Sequence, residues 1–364
     1  MTGRSTSNNP VARLAALMAA AVVILVSGCR PEGMQQLPAL EATMEETSVS
    51  GISSGAYMAG QFQIAHSRLV KGAAIIAGGP YGCAESLFAD LMPGPGTTLL
   101  NASKAISGCM LNALQIWGVP NPRLLADKTR RLADNSRIDP VDTLRTDRVY
   151  LFSGKEDRTV VPPIVAAARD YYVELGLPPQ QVKFVADMPA GHAFVTEESG
   201  GQCEKSGKPY IVDCDYDQAG DLLTHIHGPL APRASQPSGS YLVFDQGAFT
   251  RDLDDHGLSD IGVVYVPAAC RSSRGCRIHI AFHGCAQNRA AVGDSFIRDT
   301  GFARWADTNR MIVLFPQTST SPLNPQGCWD WWGYTGREYL TRRAPQIVAV
   351  HRMVERLAGS KAGS

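Results

Sequence analysis

Short apolar runs bounded by glycine, proline or charge recur along this chain, and they alternate with stretches whose apolar residues fall on one helical face. Gly72-Ala-Ala-Ile-Ile-Ala77, Asp147-Arg-Val-Tyr-Leu-Phe152, Val182-Lys-Phe-Val185, Gly262-Val-Val-Tyr-Val266, Arg277-Ile-His-Ile-Ala-Phe282 and Met311-Ile-Val-Leu-Phe315 have the form of strands buried on both faces. Residues 57–66, 163–175, 217–226 and 345–357 read as helices, and another is expected near 107–117. Strands alternating with helices predict a mostly parallel sheet, whose ligands gather at the carboxyl ends of the strands. The Pro/Gly-rich residues 80–125 are expected to cap the sheet, and the Pro/Ser-rich residues 228–240 to form a linker or exposed loop.

The pattern differs at the amino end. Arg4 and Arg13 precede the apolar run Leu14–Val26, which fits a signal-peptide core and is short for a membrane span. Val26-Ser27-Gly28-Cys29 resembles a bacterial lipobox, so Cys29 is the expected lipidation site. The expected organisation is a signal peptide with lipobox at 1–29, a tether at 30–44, a catalytic domain at 45–358 and a tail at 359–364. The protein is then exported, as an outer-membrane or cell-surface lipoprotein or as a periplasmic or secreted protein. Its only membrane contact would be the lipid at Cys29.

Composition supports a globular protein: 364 residues, 44% hydrophobic and 19% charged. Lys+Arg 34 against Asp+Glu 34 gives no excess to attract nucleic acid. Apart from Cys29, eight cysteines remain, an even number suited to an oxidising compartment. They admit about a hundred pairings. Neighbours along the chain suggest Cys83–Cys109, Cys203–Cys214, Cys270–Cys276 and Cys285–Cys328. No C-x-x-C or His-x-x-x-His spacing accompanies them, so no metal and no cofactor is expected.

Candidate chemistry centres on Gly51-Ile52-Ser53-Ser54-Gly55, the sole G-x-S-x-G of the chain, set between a β-leaning Thr47-Ser48-Val49 and a helix. In a nucleophile elbow the serine occupies a strained turn, and flanking glycines let strand and helix approach. A serine hydroxyl needs a base to take its proton and an acid to orient that base. Ser53, Asp157 and His192 each follow a predicted strand directly, in the chain order Ser, Asp, His of the α/β-hydrolase pattern. His66, His279 and His351 lie inside predicted elements, where a structural role is commoner, and His225, His227 and His256 follow no strand. Glu156 is the chief rival of Asp157. Ser54 would give one oxyanion N–H donor, and the turn His283-Gly284-Cys285 a second. That turn lies far downstream of the nucleophile instead of upstream, as a circular permutation of the sheet would place it.

Together, Val49-Ser-Gly-Ile-Ser-Ser-Gly-Ala-Tyr-Met-Ala59, Ser153-Gly-x-x-Asp157, Gly191-His192-Ala-Phe, Cys214-Asp-Tyr-Asp217, His283-Gly-Cys-x-Gln287 and Cys328-Trp-Asp-Trp-Trp-Gly333 resemble the single-domain, circularly permuted poly(3-hydroxybutyrate) depolymerases of the α/β-hydrolase superfamily. The resemblance runs from about residue 45 to the end. It implies an α/β-hydrolase fold, permuted and disulfide-containing, with Ser53 as nucleophile, His192 as base, Asp157 as acid and the N–H groups of Ser54 and Cys285 as oxyanion hole. It also implies a polyester or oligoester substrate for a monomeric enzyme. A feruloyl or acetyl esterase acting on plant polysaccharide, and a non-catalytic surface lipoprotein, are the alternatives.

Trp329, Trp331 and Trp332 form the densest aromatic cluster. With Asp330 among them they are expected to form a half-exposed wall that binds substrate together with Tyr57. No adsorption module follows the helix at 345–357 in this sequence, so adsorption to polymer is expected to come from the catalytic face, with soluble oligomers preferred over crystalline film.

Overall fold

In the computed structural model every predicted apolar run becomes a strand of one sheet, and residues 34–85, 95–111 and 118–359 are described. Cys29 with the whole signal segment, residues 30–33 of the expected tether, residues 112–117 of the helix expected near 107–117 and the tail from 360 lie outside the described residues. In chain order the strands are β1 (Thr47–Ile52), β2 (Val70–Ile76), β3 (Arg148–Phe152), β4 (Val182–Val185), β5 (Phe194–Thr196), β6 (Gly201–Gln202), β7 (Ile211–Asp213), β8 (Ser240–Asp245), β9 (Ile261–Val266), β10 (Arg277–Phe282) and β11 (Met311–Phe315). The main sheet runs β4-β3-β2-β1-β10-β11-β9-β8, and β5-β7-β6 form a small second sheet.

Six neighbouring strands, β4 to β11 in that order, are parallel, while β9 pairs antiparallel with both β11 and β8. This is a mostly parallel sheet flanked by helices. Central strands are apolar because both faces are covered: β1 and β11 are buried at every position. The main helices are α1 (Ser54–Ala65), α2 (Pro95–Cys109), α3 (Pro122–Asp134), α4 (Pro162–Leu175), α5 (Gln218–His227) and α6 (Pro345–Ala358). Every residue of α1 is buried. None of the described helices is long and apolar enough to cross a membrane.

Three expectations need correction. Residues 35–44 are no tether: Leu37 and Leu40 are buried, the Asp245 N–H donates to the Gln35 carbonyl at 2.8 Å, and the Leu40 N–H donates to the Leu357 carbonyl at 2.9 Å. Leu37 and Leu40 join the same hydrophobic core as Val354 and Leu357 of α6. The pattern also leaves β8 unassigned, because this half-buried edge strand follows directly on the polar 228–239 stretch. The helix expected to begin near 107 begins instead at Pro95, as α2, which ends at Cys109.

All four suggested disulfides form: Cys83–Cys109, Cys203–Cys214, Cys270–Cys276 and Cys285–Cys328. His279 of β10 lies fully buried between two hydroxyls of β1, with its Nδ1 2.8 Å from Ser48 Oγ and its Nε2 2.8 Å from Ser50 Oγ. It is a sheet-core histidine, and burial holds its pKa well below the ordinary value. Burial likewise lowers His66 to about 3 and His227 and His283 to about 4.

These four histidines set a pH dependence of stability. Below about pH 6.5 they take up protons only on unfolding, so their contribution is present above that pH and is lost as pH falls towards 4. Asp147 opposes them: burial raises it to about 8, so it gives up a proton on unfolding between about pH 4 and 8, and buried Asp330 is raised as well. Burial also lowers His225, His256 and His351 and raises Asp299, so seven lowered histidines stand against three raised carboxylates. Thermal melting is expected to fall steadily from pH 7 to pH 4.5; a melting temperature flat or rising over that interval would contradict the assignment of neutral buried histidines.

Candidate active site

Ser53 joins β1 to α1 with φ 56° and ψ −123°, a conformation that side chains with a Cβ rarely adopt. Its N–H donates to the Ile76 carbonyl of β2 at 2.9 Å, and its carbonyl accepts from the N–H of Ala56 at 2.9 Å. The sharp turn demands small neighbours. A Cβ on Gly51 would sit 2.1 Å from the Gly55 carbonyl oxygen, and one on Gly55 would sit 2.2 Å from the Phe282 carbonyl oxygen. The motif is therefore a true elbow, with α1 wedged against the end of β10.

β3 and β4 run parallel to β1, so the loops after them emerge on the same sheet edge. On the loop after β3, Asp157 is 1% exposed; its Oδ1 accepts from the N–H groups of Thr159 at 2.8 Å and Val160 at 2.9 Å. Its Oδ2 lies 2.8 Å from Nδ1 of His192, on the loop after β4. An aspartate fixed by two backbone donors in turn fixes the ring through Nδ1, which leaves Nε2 as the nitrogen not engaged by Asp157. The His192 loop is pinned by its own N–H to Ser206 Oγ at 2.7 Å and by the Gly191 N–H to the Cys203 carbonyl at 2.9 Å. Glu156, the rival acid, points outward to Arg158 at 3.2 Å.

Ser53 and His192 both line a cavity of about 120 Å³. Ile52, Met110 and Thr159 form one part of its wall, and Tyr210, Gly284, Cys285 and Gln287 another. A larger cavity of about 620 Å³ lies between α2, α3 and residues 333–341, and it holds none of Ser53, Asp157 and His192. Chemistry, not size, marks the smaller one. Ser54 is the first residue of α1, where backbone N–H groups lack intrahelical acceptors and favour negative charge. The N–H of Cys285 donates to no described residue. Cys285 is tied to Cys328, whose N–H donates to Asn324 Oδ1 and whose carbonyl accepts from Tyr334 Oη, both at 2.8 Å. Among the described residues no group of three or more His, Cys, Asp or Glu is placed to hold a metal ion.

The tryptophan expectation fails. Trp329 is fully buried, edge-on to Phe282 at 4.9 Å, with its backbone N–H donating to Ser54 Oγ at 3.3 Å. Trp331 is buried too, stacked on Tyr57 at 4.0 Å beside the Cys83–Cys109 bridge. Tyr57 is equally buried, its hydroxyl donating to the Cys109 carbonyl at 2.5 Å. Trp332 is half-buried and packs on Trp331 and Tyr334. None of the four lines the cavity at Ser53. Asp330, the reason to expect exposure, is itself buried: its Oδ1 accepts from the N–H groups of Trp332, Gly333 and Tyr334, and its Oδ2 from the N–H and hydroxyl of Thr335. A carboxylate so satisfied can be buried as a turn anchor. Met110, Thr159, Tyr210 and Gln287 line the cavity instead, and of these only Gln287 lay within a recognised motif.

No family model matches the chain. The chain is 39% identical over 333 residues to a poly(3-hydroxybutyrate) depolymerase of Delftia acidovorans, in a match covering 90% of this chain and 63% of that protein. It therefore spans less than two thirds of that relative's length. It is 32% identical over 346 residues to a polyhydroxybutyrate depolymerase of Talaromyces funiculosus, covering 90% of this chain and 94% of that one. Among solved structures it superposes on a PHB depolymerase from Penicillium funiculosum with TM-score 0.77 and 31% identity, over 89% of this chain and 99% of that chain. A serine-to-alanine PHB depolymerase complexed with an R3HB trimer matches with TM-score 0.78, the same identity and the same coverage.

Proposed function

The chain belongs to the poly(3-hydroxybutyrate) depolymerase family, and from that membership we propose that it is a serine esterase hydrolysing poly(3-hydroxybutyrate) or short hydroxyalkanoate oligomers. The observation that carries the reading is the Asp157–His192 pair at 2.8 Å on the sheet edge of the elbow serine, with His192 and Ser53 lining one cavity. In the proposed reaction Ser53 Oγ attacks the ester carbonyl carbon while His192 Nε2 takes its proton. Asp157 holds Nδ1–H and stabilises the imidazolium. The tetrahedral oxyanion is received by the N–H groups of Ser54 and Cys285. Its collapse breaks the ester C–O bond, the alkoxide leaves with the proton from His192, and water hydrolyses the acyl-serine by the same route.

A circularly permuted order is part of this reading. It is supported by β10, late in the chain, lying beside β1 with the oxyanion turn at its end, and by residues 35–44 bonding to the last helix. Export with lipidation at Cys29 is likewise proposed, supported by four disulfides that suit an oxidising compartment. For contact with polymer, the exposed Leu99, Ile106, Leu111, Val119 and Leu124 replace the tryptophans; they cluster in sequence around Met110, which lines the cavity.

The test is hydrolysis of a panel holding 3-hydroxybutyrate oligomers, crystalline polymer film, p-nitrophenyl esters and methyl ferulate. Ser53 is 7% exposed at the foot of a small cavity, so an ester must leave its lattice to reach it. Oligomers are expected to be cleaved with higher kcat/KM per accessible ester than film. A preference for methyl ferulate would move the enzyme to the feruloyl esterases, and no turnover of any member would refute the esterase reading.

A further inference from the structure

We propose that Gln287 is a positioning residue that sets the oxyanion turn and ties it to the loop of the base, an inference that rests on the esterase reading above. Of four successive N–H groups in the turn, three are engaged. The Gly284 N–H donates to Gln287 Oε1 at 2.7 Å, the Ala286 N–H to the Gln326 carbonyl at 2.6 Å and the Gln287 N–H to the Gly284 carbonyl at 3.3 Å. Only that of Cys285 has no acceptor among the described residues, and Cys285 faces the cavity of Ser53. The Gln287 side chain thus closes the turn in the one arrangement that leaves the Cys285 donor for an incoming oxyanion.

The other end of the same amide reaches across the site. Gln287 Nε2 donates to the carbonyls of Pro209 at 3.0 Å and Tyr210 at 3.2 Å. The Tyr210 carbonyl also accepts the N–H of Phe194 at 2.9 Å, and Phe194 follows His192 by two residues. Tyr210, held at φ 58°, presents that carbonyl to both partners. One side chain, 1% exposed, therefore links the oxyanion turn to the base loop through a single carbonyl oxygen. An amide alone combines an acceptor at one atom with two donors at another, so Leu keeps the volume and loses all three bonds, while Glu keeps only the acceptor. Losing them takes the partner from the buried Gly284 N–H and the Pro209 carbonyl and leaves the Tyr210 carbonyl with Phe194 alone, and the turn shifts to repair this.

The experiment compares Gln287→Leu and Gln287→Glu with wild type, in the full chain, on a soluble 3-hydroxybutyrate oligomer. Active sites are counted with a serine-directed phosphonate, so that kcat is per competent serine. Because a displacement of about 1 Å at a reacting centre costs about a hundredfold, Gln287→Leu is expected to lower kcat by about that factor with KM changed less than about threefold. Gln287→Glu, as a carboxylate, faces two carbonyls and is expected to be impaired at neutral pH. Its kcat relative to wild type is expected to rise as pH falls, when the protonated side chain regains one donor. A Gln287→Leu protein with wild-type kcat per titrated site, or with a loss expressed only as fewer sites and lower melting temperature, would overturn the proposal. If that variant does not fold, the pH dependence of the Glu variant decides, and a flat ratio to wild type overturns it. Phosphonylation of Ser53 also passes through an oxyanion, so its rate reports on Gln287 even if wild-type protein turns over no ester, which would instead sink the esterase reading.

Discussion

Ser53→Ala is expected to lower kcat on a soluble hydroxyalkanoate oligomer by roughly four to six orders of magnitude, with a melting temperature close to that of wild type. The fold tolerates the change because the elbow is held by backbone. The bonds from Ser53 N–H to Ile76 and from Ala56 and Tyr57 to the Ser53 carbonyl all survive in alanine, which meets the same φ of 56°. The chemistry does not tolerate it, since in the proposed reaction the atom removed is the one that forms the acyl bond. His192→Ala and Asp157→Asn should each cost several orders of magnitude as well. The double variant Ser53→Ala with His192→Ala should be no worse than Ser53→Ala alone, because a base without a nucleophile contributes nothing. Turnover above about a hundredth of wild type in Ser53→Ala, or losses that multiply in the double variant, would remove Ser53 from the reaction.

The sequence makes the placement of Ser53, Asp157 and His192 on one edge legible for a physical reason: parallel strands send the loops that follow them to one edge, so a strand followed directly by Ser, Asp or His already carries spatial information. The disulfide pairs are legible because each joins cysteines that follow one another along the chain. The rest of the cavity is not. Tyr210 and Met110 reach the cavity of Ser53 only through tertiary packing, the first in the loop closed by the Cys203–Cys214 bridge and the second just after Cys109 at the end of α2. No local pattern reports such proximity. The tryptophans mislead for a related cause. Asp330 between them reads as a mark of solvent, whereas three N–H groups converging on its Oδ1 allow it to be buried, and Trp329 and Trp331 go inside with it. Leu37 and Leu40 mislead in the opposite sense, since proline-punctuated residues near an amino end look like a tether until a surface that can bury them is known.

Gly55→Ala is expected to abolish the active fold locally, and most of the protein's solubility with it, whereas Gly60→Ala five residues further along the same helix is expected to be harmless. By helix propensity alone both should stabilise, because alanine exceeds glycine by about 1 kcal/mol within a helix. Space decides between them. At Gly60 an added Cβ would lie 3.5 Å from Tyr172 Oη and 3.6 Å from Ile75 Cδ1, ordinary contacts that leave the propensity gain intact. At Gly55 it would lie 2.2 Å from the Phe282 carbonyl oxygen and 2.4 Å from that of His283, which are backbone atoms at the end of β10. That backbone cannot yield without moving the next residues, Gly284 and Cys285, the latter tethered to Cys328. The collision therefore acts on stability and on the oxyanion turn together, beyond the 1–3 kcal/mol usual for an overpacked core. Thermal melting and phosphonate titration of the two variants would separate the cases: a melting temperature for Gly60→Ala equal to or a few degrees above wild type with full titration, against little folded and titratable Gly55→Ala. A Gly55→Ala protein that melts like wild type and retains turnover would mean that α1 does not press on the end of β10, and the elbow geometry on which the assignment of Ser53 rests would have to be redrawn.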